Sequence, residues 1–151
     1  MNHQSQQGRL LLIEKVLLLK SLQLFSETPE TVLTEVAGIL EEVEVERGTS
    51  VFKTGDLGTC MYIIYQGEIR IHHQDTVFAV LKDADFFGEL SMLDAETRSA
   101  SATAETDAFL LKIDQEPFYE IMENRIEVAR GIIRTLCKRL RNQNQKTIEK
   151  K

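Results

Sequence analysis

The chain has 151 residues, 42% of them apolar and 28% charged, which is the size and composition of one ordinary soluble domain. Its net charge of -6, its 7% of aromatic residues and its lack of tryptophan argue against a nucleic-acid-binding domain. No segment is long and apolar enough to span a membrane, and Cys60 and Cys137 have the spacing of neither a disulfide framework nor a metal site. We therefore predict a cytoplasmic protein.

The N-terminal part of the chain is predicted to be helical after a short tail. Residues 1–8 form a polar tail, and residues 9–41 form a helical segment. Leu and Ile recur at helical spacing from Arg9 to Leu24, which predicts one amphipathic helix. A second helix is predicted to be capped by Thr28, to have Pro29 at its first position and to run to about Leu40.

The sequence pattern of residues 42–114 is typical of β strands. Val43 and Val45 alternate with glutamates, which is the period of a strand. Short apolar runs separated by glycine turns follow at residues 51–52, 61–65, 69–72, 77–81 and 109–113. The pattern is typical of an antiparallel barrel or sandwich. We expect a mainly β fold with flanking helices, of the α+β class, in which residues 42–114 form an antiparallel jelly-roll β barrel.

The helical period returns over residues 115–145, which completes a single domain with helices at both ends. A long helix is predicted from about Ile126 to Asn142. Its apolar stripe consists of Ile126, Ala129, Ile133, Leu136, Cys137 and Leu140. The segment from Arg125 to Lys151 carries a net charge of +7, so the rest of the chain carries -13. This asymmetry predicts a basic helix face that projects into solvent or meets an acidic surface.

Residues 86–104 contain the clearest signal of a binding site. Gly88 lets a ligand approach the backbone, and a helical turn from Glu89 to Leu93 would present unpaired N–H groups to an anion. Arg98 adds a permanent planar charge that suits phosphate oxygens. Glu89 is out of place beside an anion unless it accepts hydrogen bonds from hydroxyl groups, such as those of a ribose. The combination predicts a sugar-phosphate site.

The same segment resembles the phosphate-binding cassette of cyclic-nucleotide-binding domains, the family of the catabolite activator protein and the regulatory subunit of cAMP-dependent protein kinase. Phe87-Gly88-Glu89-Leu90 and Arg98-Ser99 match the family pattern at the family spacing. The upstream run of Gly55-Asp56, residues 61–64 and Gly67 is also similar. The resemblance extends from about Leu24 to Leu140. It departs at Thr97, where kinase-type members usually have proline.

The resemblance implies a role for each matching residue. Glu89 would bind the ribose 2′-OH, and Arg98 would bind the cyclic phosphate. Backbone or hydroxyl contacts would come from Gly88, Leu90, Ser99 and Ala100. Ile71 and Phe78 would line the base pocket, and Gln143 and Asn144 fall where the catabolite activator reaches the adenine edge.

The function expected from these residues is a regulatory sensor that binds cAMP, favoured over cGMP, without a cofactor or a metal. The preference for cAMP rests on the resemblance at Ser99. In the family, threonine at this position often accompanies cGMP, whereas serine or alanine often accompanies cAMP. The C-terminal helix is expected to be the output element. Two partners are expected: a second copy of the chain, in a homodimer formed through that helix, and a larger effector protein. The alternative to a dimer is that the apolar stripe packs on the chain's own barrel, which would give a monomer.

Three other readings remain open from the sequence. A cupin-like metal enzyme would need several converging ligands, but His72 and His73 are adjacent on a strand and face opposite sides. A DNA-binding regulator would need a helix-turn-helix domain after the long helix, so direct DNA binding is not expected. The third is a regulatory module excised from, or related to, a larger protein, including a scaffold or a transcription-regulator-like module of the same fold that has lost ligand binding. We expect no enzymatic activity.

Overall fold

The computed structural model describes residues 9–149 and begins with two helices, α1 (Leu12–Ser21) and α2 (Glu30–Gly38). The prediction of one helix from Arg9 to Leu24 is wrong at its end. The backbone leaves the helix at Leu22, which is extended at ψ 135°, and then forms a single 3-10 turn over Gln23–Phe25. Burial explains the break, because Leu22, Leu24 and Phe25 are all enclosed in the core. The predicted polar tail, residues 1–8, lies outside the described residues.

The start of α2 differs from the predicted cap. Pro29 is the N-cap residue, with φ -60° and ψ 144°, and no side chain caps the helix. Thr28 is instead buried, and its Oγ1 has no hydrogen-bond partner among the described residues. It faces Gly131 of the C-terminal helix, where a Cβ added to that glycine would lie 3.3 Å from Thr28 Oγ1. Packing of the C-terminal helix therefore takes precedence over capping.

Ten strands form the central part of the chain, and every recorded pairing is antiparallel, as predicted. The strands are β1 (Glu41–Val45), β2 (Ser50–Phe52), β3 (Leu57–Gly58), β4 (Cys60–Gln66), β5 (Ile69–His73), β6 (Thr76–Leu81), β7 (Phe86–Phe87), β8 (Glu96–Thr97), β9 (Ser101–Ala104) and β10 (Ala108–Asp114). Helix α3 (Glu89–Leu93) lies between β7 and β8.

The strands are arranged in three sheets. Two have four strands, in the orders β1-β10-β4-β7 and β2-β9-β5-β6, and the third pairs β3 with β8. The mainly β fold with flanking helices is confirmed, but the sheets do not close into a continuous barrel, because the edge strands of one four-stranded sheet do not pair with those of the other. The result is an open jelly-roll-like arrangement.

Two apolar cores lie on the two faces of the β1-β10-β4-β7 sheet. Ile63 and Leu111 point towards the helices and join the core that contains Phe25 and Phe118. The next residue of β4, Ile64, points the other way, into a core between the sheets. Because successive strand residues face opposite sides, β4 and β10 are buried on both faces and contain nearly continuous apolar runs.

The C-terminal helices are α4 (Gln115–Asn124) and α5 (Ile126–Glu149). Helix α5 is longer than predicted and turned differently. It buries Val128, Ile132 and Thr135, whereas Ile126, Ile133 and Leu140 of the predicted apolar stripe are exposed. Gly131 lies on the buried side, where its missing side chain lets the helix approach Thr28. These three residues therefore take no part in packing α5 on its own chain, whereas Leu136 of the same predicted stripe packs against the core.

Candidate functional site

A cavity of about 470 Å³ lies where β7, α3 and the 94–100 loop meet the second sheet. Seven of the residues predicted to bind ligand line it: Ile71, Gly88, Glu89, Leu90, Arg98, Ser99 and Ala100. The remaining lining residues are Phe52, Phe87, Ser91, Glu96 and Thr97. The fold thus brings residues 87–91 and 96–100 of the predicted phosphate-sugar segment to one concave surface.

Gly88 is required by both conformation and space. It precedes α3 as the N-cap residue with φ 81°, in the left-handed region that favours glycine. A Cβ at this position would lie 2.6 Å from Arg98 Nη1 and 3.0 Å from the Cys60 carbonyl oxygen. The helical turn begins at Glu89, as the sequence predicts. Gly88 therefore lets the start of α3 and the side chain of Arg98 lie against each other at the wall of the cavity.

The turn at Gly55-Asp56 holds the backbone of Arg98. The N–H of Arg98 donates to the Asp56 carbonyl at 2.7 Å, and the N–H of Gly55 donates to the Arg98 carbonyl at 2.8 Å. Next to this turn, Leu57 pairs with Thr97 in the β3-β8 ribbon. The two sequence patterns that carry the resemblance, at residues 55–56 and 86–99, are therefore parts of one structural unit.

The side chain of Arg98 is buried, with 7% of its surface exposed, although it lines the cavity. Its Nη2 donates to the Cys60 carbonyl at 2.8 Å and lies 3.5 Å from Cys60 Sγ. The guanidinium carbon is 4.1 Å from the centroid of the Phe52 ring. A charge this deeply buried needs partners, and an anion in the cavity would be a further one.

Glu89 has a partner that the sequence did not reveal. Its Oε1 accepts a hydrogen bond from Arg139 Nη1 at 3.2 Å, and Arg139 comes from α5, 50 residues further along the chain. Both side chains are mostly shielded from solvent, with 22% of Glu89 and 28% of Arg139 exposed. The Arg139 guanidinium also lies 5.7 Å from the centroid of Phe86. The contact links the predicted binding segment directly to the C-terminal helix.

An aromatic cluster lies behind the cavity. The ring of Tyr62 stacks on Phe87 at a centroid distance of 5.3 Å, and Phe52 packs on both. Burial raises the pKa of the Tyr62 hydroxyl well above its ordinary value, and neighbouring Cys60 raises it further against the opposing effect of Arg98. Tyr62 is therefore a neutral phenol at physiological pH, and it does not neutralise the charge of Arg98.

Three predicted base contacts lie outside the lining of this cavity. Phe78 is 60% exposed on the edge strand β6, next to a register irregularity between Ile71 and His72. Gln143 and Asn144 are exposed on α5, beyond Arg139. Phe52 is a lining residue that the sequence analysis missed, since nothing in a short apolar strand distinguishes a cavity wall from a core.

His72 and His73, adjacent on β5, contact different neighbours. His72 Nε2 lies 2.7 Å from Thr103 Oγ1, while the ring of His73 is directed towards Thr54. Among residues 9–149, no three His, Cys, Asp or Glu side chains are grouped so that they could hold a metal ion. Every helix in that range is too short or too polar to cross a lipid bilayer.

Comparisons with known proteins agree on one family. A family model described as "Cyclic nucleotide-binding domain" matches residues 42–125. The chain is 31% identical over 110 residues to a CRP-like cAMP-activated global transcriptional regulator of Mycobacterium tuberculosis, covering 70% of this chain and 49% of the regulator. It is 31% identical over 118 residues to a cGMP-dependent protein kinase of Drosophila melanogaster, covering 73% of this chain and 13% of the kinase.

The solved structures agree with this at the level of the fold. The N-terminal domain of a transcriptional regulator from Streptomyces coelicolor superimposes with a TM-score of 0.79 at 28% identity, covering 85% of this chain and 92% of that domain. The chain spans about half the length of the M. tuberculosis regulator and a small part of the kinase.

Proposed function

The chain belongs to the cyclic nucleotide-binding domain family, and on that premise we propose that it is a regulatory sensor that binds cAMP between α3 and Arg98 and signals through α5. The observation that carries the proposal is that Gly88, Glu89, Arg98 and Ser99 line a single cavity. Its volume of about 470 Å³ lies within the range of small-molecule sites.

Each group at the cavity has a part of the ligand that suits it. The planar guanidinium of Arg98 takes the cyclic phosphate, because its N–H groups match two phosphate oxygens at once. Glu89 has one oxygen on Arg139, which leaves the other to accept from the ribose 2′-OH. The Ser99 hydroxyl donates a hydrogen bond to the ligand, and the backbone at Gly88, Leu90 and Ala100 adds contacts to it. Ile71 packs against the base.

We propose cAMP as the ligand rather than cGMP. The support is the resemblance at Ser99, where threonine often accompanies cGMP in the family. The relatives carry both possibilities in their names, since one is cAMP-activated and another is a cGMP-dependent kinase.

Calorimetric titration of the full chain with cAMP and with cGMP tests this assignment. We expect saturable 1:1 binding of both nucleotides, with cAMP the tighter. Tenfold tighter binding of cGMP, a difference of about 1.4 kcal/mol, would reverse the ligand assignment. Binding of neither nucleotide would favour the alternative that the chain is a scaffold that has lost ligand binding. That alternative is supported by the protein partners that Arg98 and Glu89 already have, namely Cys60 and Arg139.

The output proposal is supported by contacts that join α5 to the rest of the molecule. Besides the pair of Arg139 with Glu89, Lys138 lies 2.9 Å from Glu27, and Arg125, the residue just before α5, lies 2.8 Å from Glu35. A ligand that engages Glu89 changes the surroundings of Arg139 and therefore favours one placement of α5 over another. We also propose that α5 joins two copies of the chain and that a larger effector receives the signal.

The remaining parts of the proposal concern chemistry and place. The family is defined by ligand binding, and the kinases that match this chain do so over a small part of their length. We therefore propose a sensor without catalytic activity or direct DNA contact. Cys60 and Cys137 are free thiols, which fits the reducing cytoplasm.

A further inference from the structure

Gly58 faces the side chain of Arg98 at very short range. It is a buried residue of β3, and a Cβ built on it would lie 2.4 Å from Arg98 Nε, 2.6 Å from Cζ and 2.9 Å from Cδ. These distances are below any that real Cβ atoms adopt. The backbone of Gly58 does not itself require glycine, because its φ lies outside the left-handed region. The position is therefore constrained by the arginine and not by the turn.

Three other groups hold the same guanidinium. The Cys60 carbonyl accepts from Nη2 at 2.8 Å, the Phe52 ring lies 4.1 Å from Cζ, and Gly88 leaves room for Nη1. The Cys60 carbonyl accepts from one N–H of Nη2, which leaves further N–H groups of the guanidinium for a ligand. Nε lies against Gly58, and Nη1 lies against Gly88.

We propose that Gly58 is a positioning residue for the phosphate-binding arginine: its missing side chain forms the slot in which Arg98 is held before the ligand arrives. The proposal rests on the proposed binding function, in which Arg98 contacts the cyclic phosphate. An arginine that is ordered during folding does not have to be ordered again on binding, and such preorganisation increases affinity. A side chain at residue 58 would push Arg98 away from the Cys60 carbonyl and lose this advantage.

The test is Gly58→Ala in the full chain, with titration of cAMP. The substitution moves only the flexible end of one side chain, so the fold should persist with a small decrease in Tm. We expect cAMP affinity to fall at least fivefold. Gly38→Ala is the matched control, because Gly38 ends α2 with an ordinary φ and has no atom within 4 Å of its added Cβ. Gly38→Ala should bind like the parent.

A thermal-unfolding cycle tests the same slot without any ligand. Gly58→Ala should lower Tm when Arg98 is present and should have no such effect in the Arg98→Ala background, where the obstructing side chain is gone. An equal decrease in both backgrounds would overturn the proposal, as would unchanged cAMP affinity of Gly58→Ala in a parent that binds. A parent that does not bind cAMP contradicts the proposed function instead, and the unfolding cycle still decides the role of Gly58.

Discussion

At the scale of single residues, Arg98 joins the fold to the proposed binding site. Its backbone is fixed by the turn at Gly55-Asp56, and its side chain is fixed by Cys60 and Phe52. A buried guanidinium with N–H groups left over is well suited to an anion, because the charge has already been partly removed from water and its geometry is set.

We expect Arg98→Lys to weaken cAMP binding far more than it weakens the fold. Lysine keeps the charge but cannot present two parallel N–H groups to the phosphate. The loss of a charge-assisted hydrogen bond is worth roughly 1.5–3 kcal/mol, or about ten- to a hundredfold in affinity. Titration calorimetry measures the affinity, and thermal unfolding of the same samples measures the fold. A variant that binds like the parent would show that Arg98 does not contact the phosphate.

The sequence could predict Glu89 and Arg98 because they lie in one short segment whose pattern carries its own chemistry. It could not predict Arg139, which is one of several basic residues on a helix and is distinguished only by the way α5 is turned. It could not predict the role of Gly58 either. The contact of Arg139 depends on how a distant helix packs, and the role of Gly58 depends on the path of the Arg98 side chain.

At the scale of elements, polar contacts near the middle of α5 join it to the rest of the molecule. Thr135 Oγ1 donates to the Gly131 carbonyl of its own helix at 3.0 Å and lies 3.4 Å from the Gln23 carbonyl, close to the ion pairs of Lys138 with Glu27 and of Arg139 with Glu89. The hydrogen bond from Lys138 lowers the pKa of the Glu27 carboxyl. Glu27 therefore stays ionised as the pH falls towards its ordinary pKa. The pair of Arg139 with Glu89 differs from the others because it includes a residue of the cavity.

We expect Arg139→Ala to uncouple α5 from the ligand. Hydrogen exchange across residues 115–145, measured with and without saturating cAMP, should show a ligand-dependent change in the parent and a much smaller one in Arg139→Ala. Arg141→Ala is the matched control, since Arg141 is an exposed arginine on the same helix. A full ligand-dependent change in Arg139→Ala would assign the coupling to other contacts. Unchanged protection in the parent would reject α5 as the output element.

The accuracy of the predicted elements follows their length. The strands β1, β2, β4, β5, β6 and β10 were predicted from alternation or apolar runs and are all present. The strands β3, β7 and β8 have only two residues each, too few to show a period, and they form because the tertiary fold brings their partners to them. Strand β9, Ser101–Ala104, consists of small residues that lack the bulk typical of strands.

At the scale of the whole molecule, part of the charge asymmetry is accounted for within the chain. The basic C-terminal segment meets the acidic body at Glu27, Glu35 and Glu89. Helix α5 therefore uses some of its arginine and lysine residues for attachment to its own domain. For Arg125, Lys138 and Arg139, this arrangement agrees with the prediction of basic residues that meet an acidic surface.

The exposed apolar residues of α5 are the strongest indication of an assembly. Ile126, Ile133 and Leu140 are 55%, 59% and 60% exposed, and they follow one another at intervals of seven residues. A repeat of seven puts them on one side of the helix, where they match one of the two apolar positions of a coiled-coil heptad. The buried side of α5, at Val128 and Ile132, is already occupied by its own chain. The exposed stripe is thus free to contact α5 of a second copy.

Sedimentation velocity of the full chain tests this dimer with and without cAMP. We expect a dimer in at least the ligand-bound state, because a ligand that fixes α5 also fixes the orientation of its exposed stripe. Ile133→Asp should shift the population to monomer, since a charge in the seam would have to be desolvated. Its Tm, measured at a concentration where the parent is monomeric, should match the parent, because Ile133 does not contribute to the buried side of α5. A parent that remains monomeric in both conditions at high concentration would exclude α5 as a dimer contact. The proposed effector would then be the remaining candidate to contact the exposed stripe.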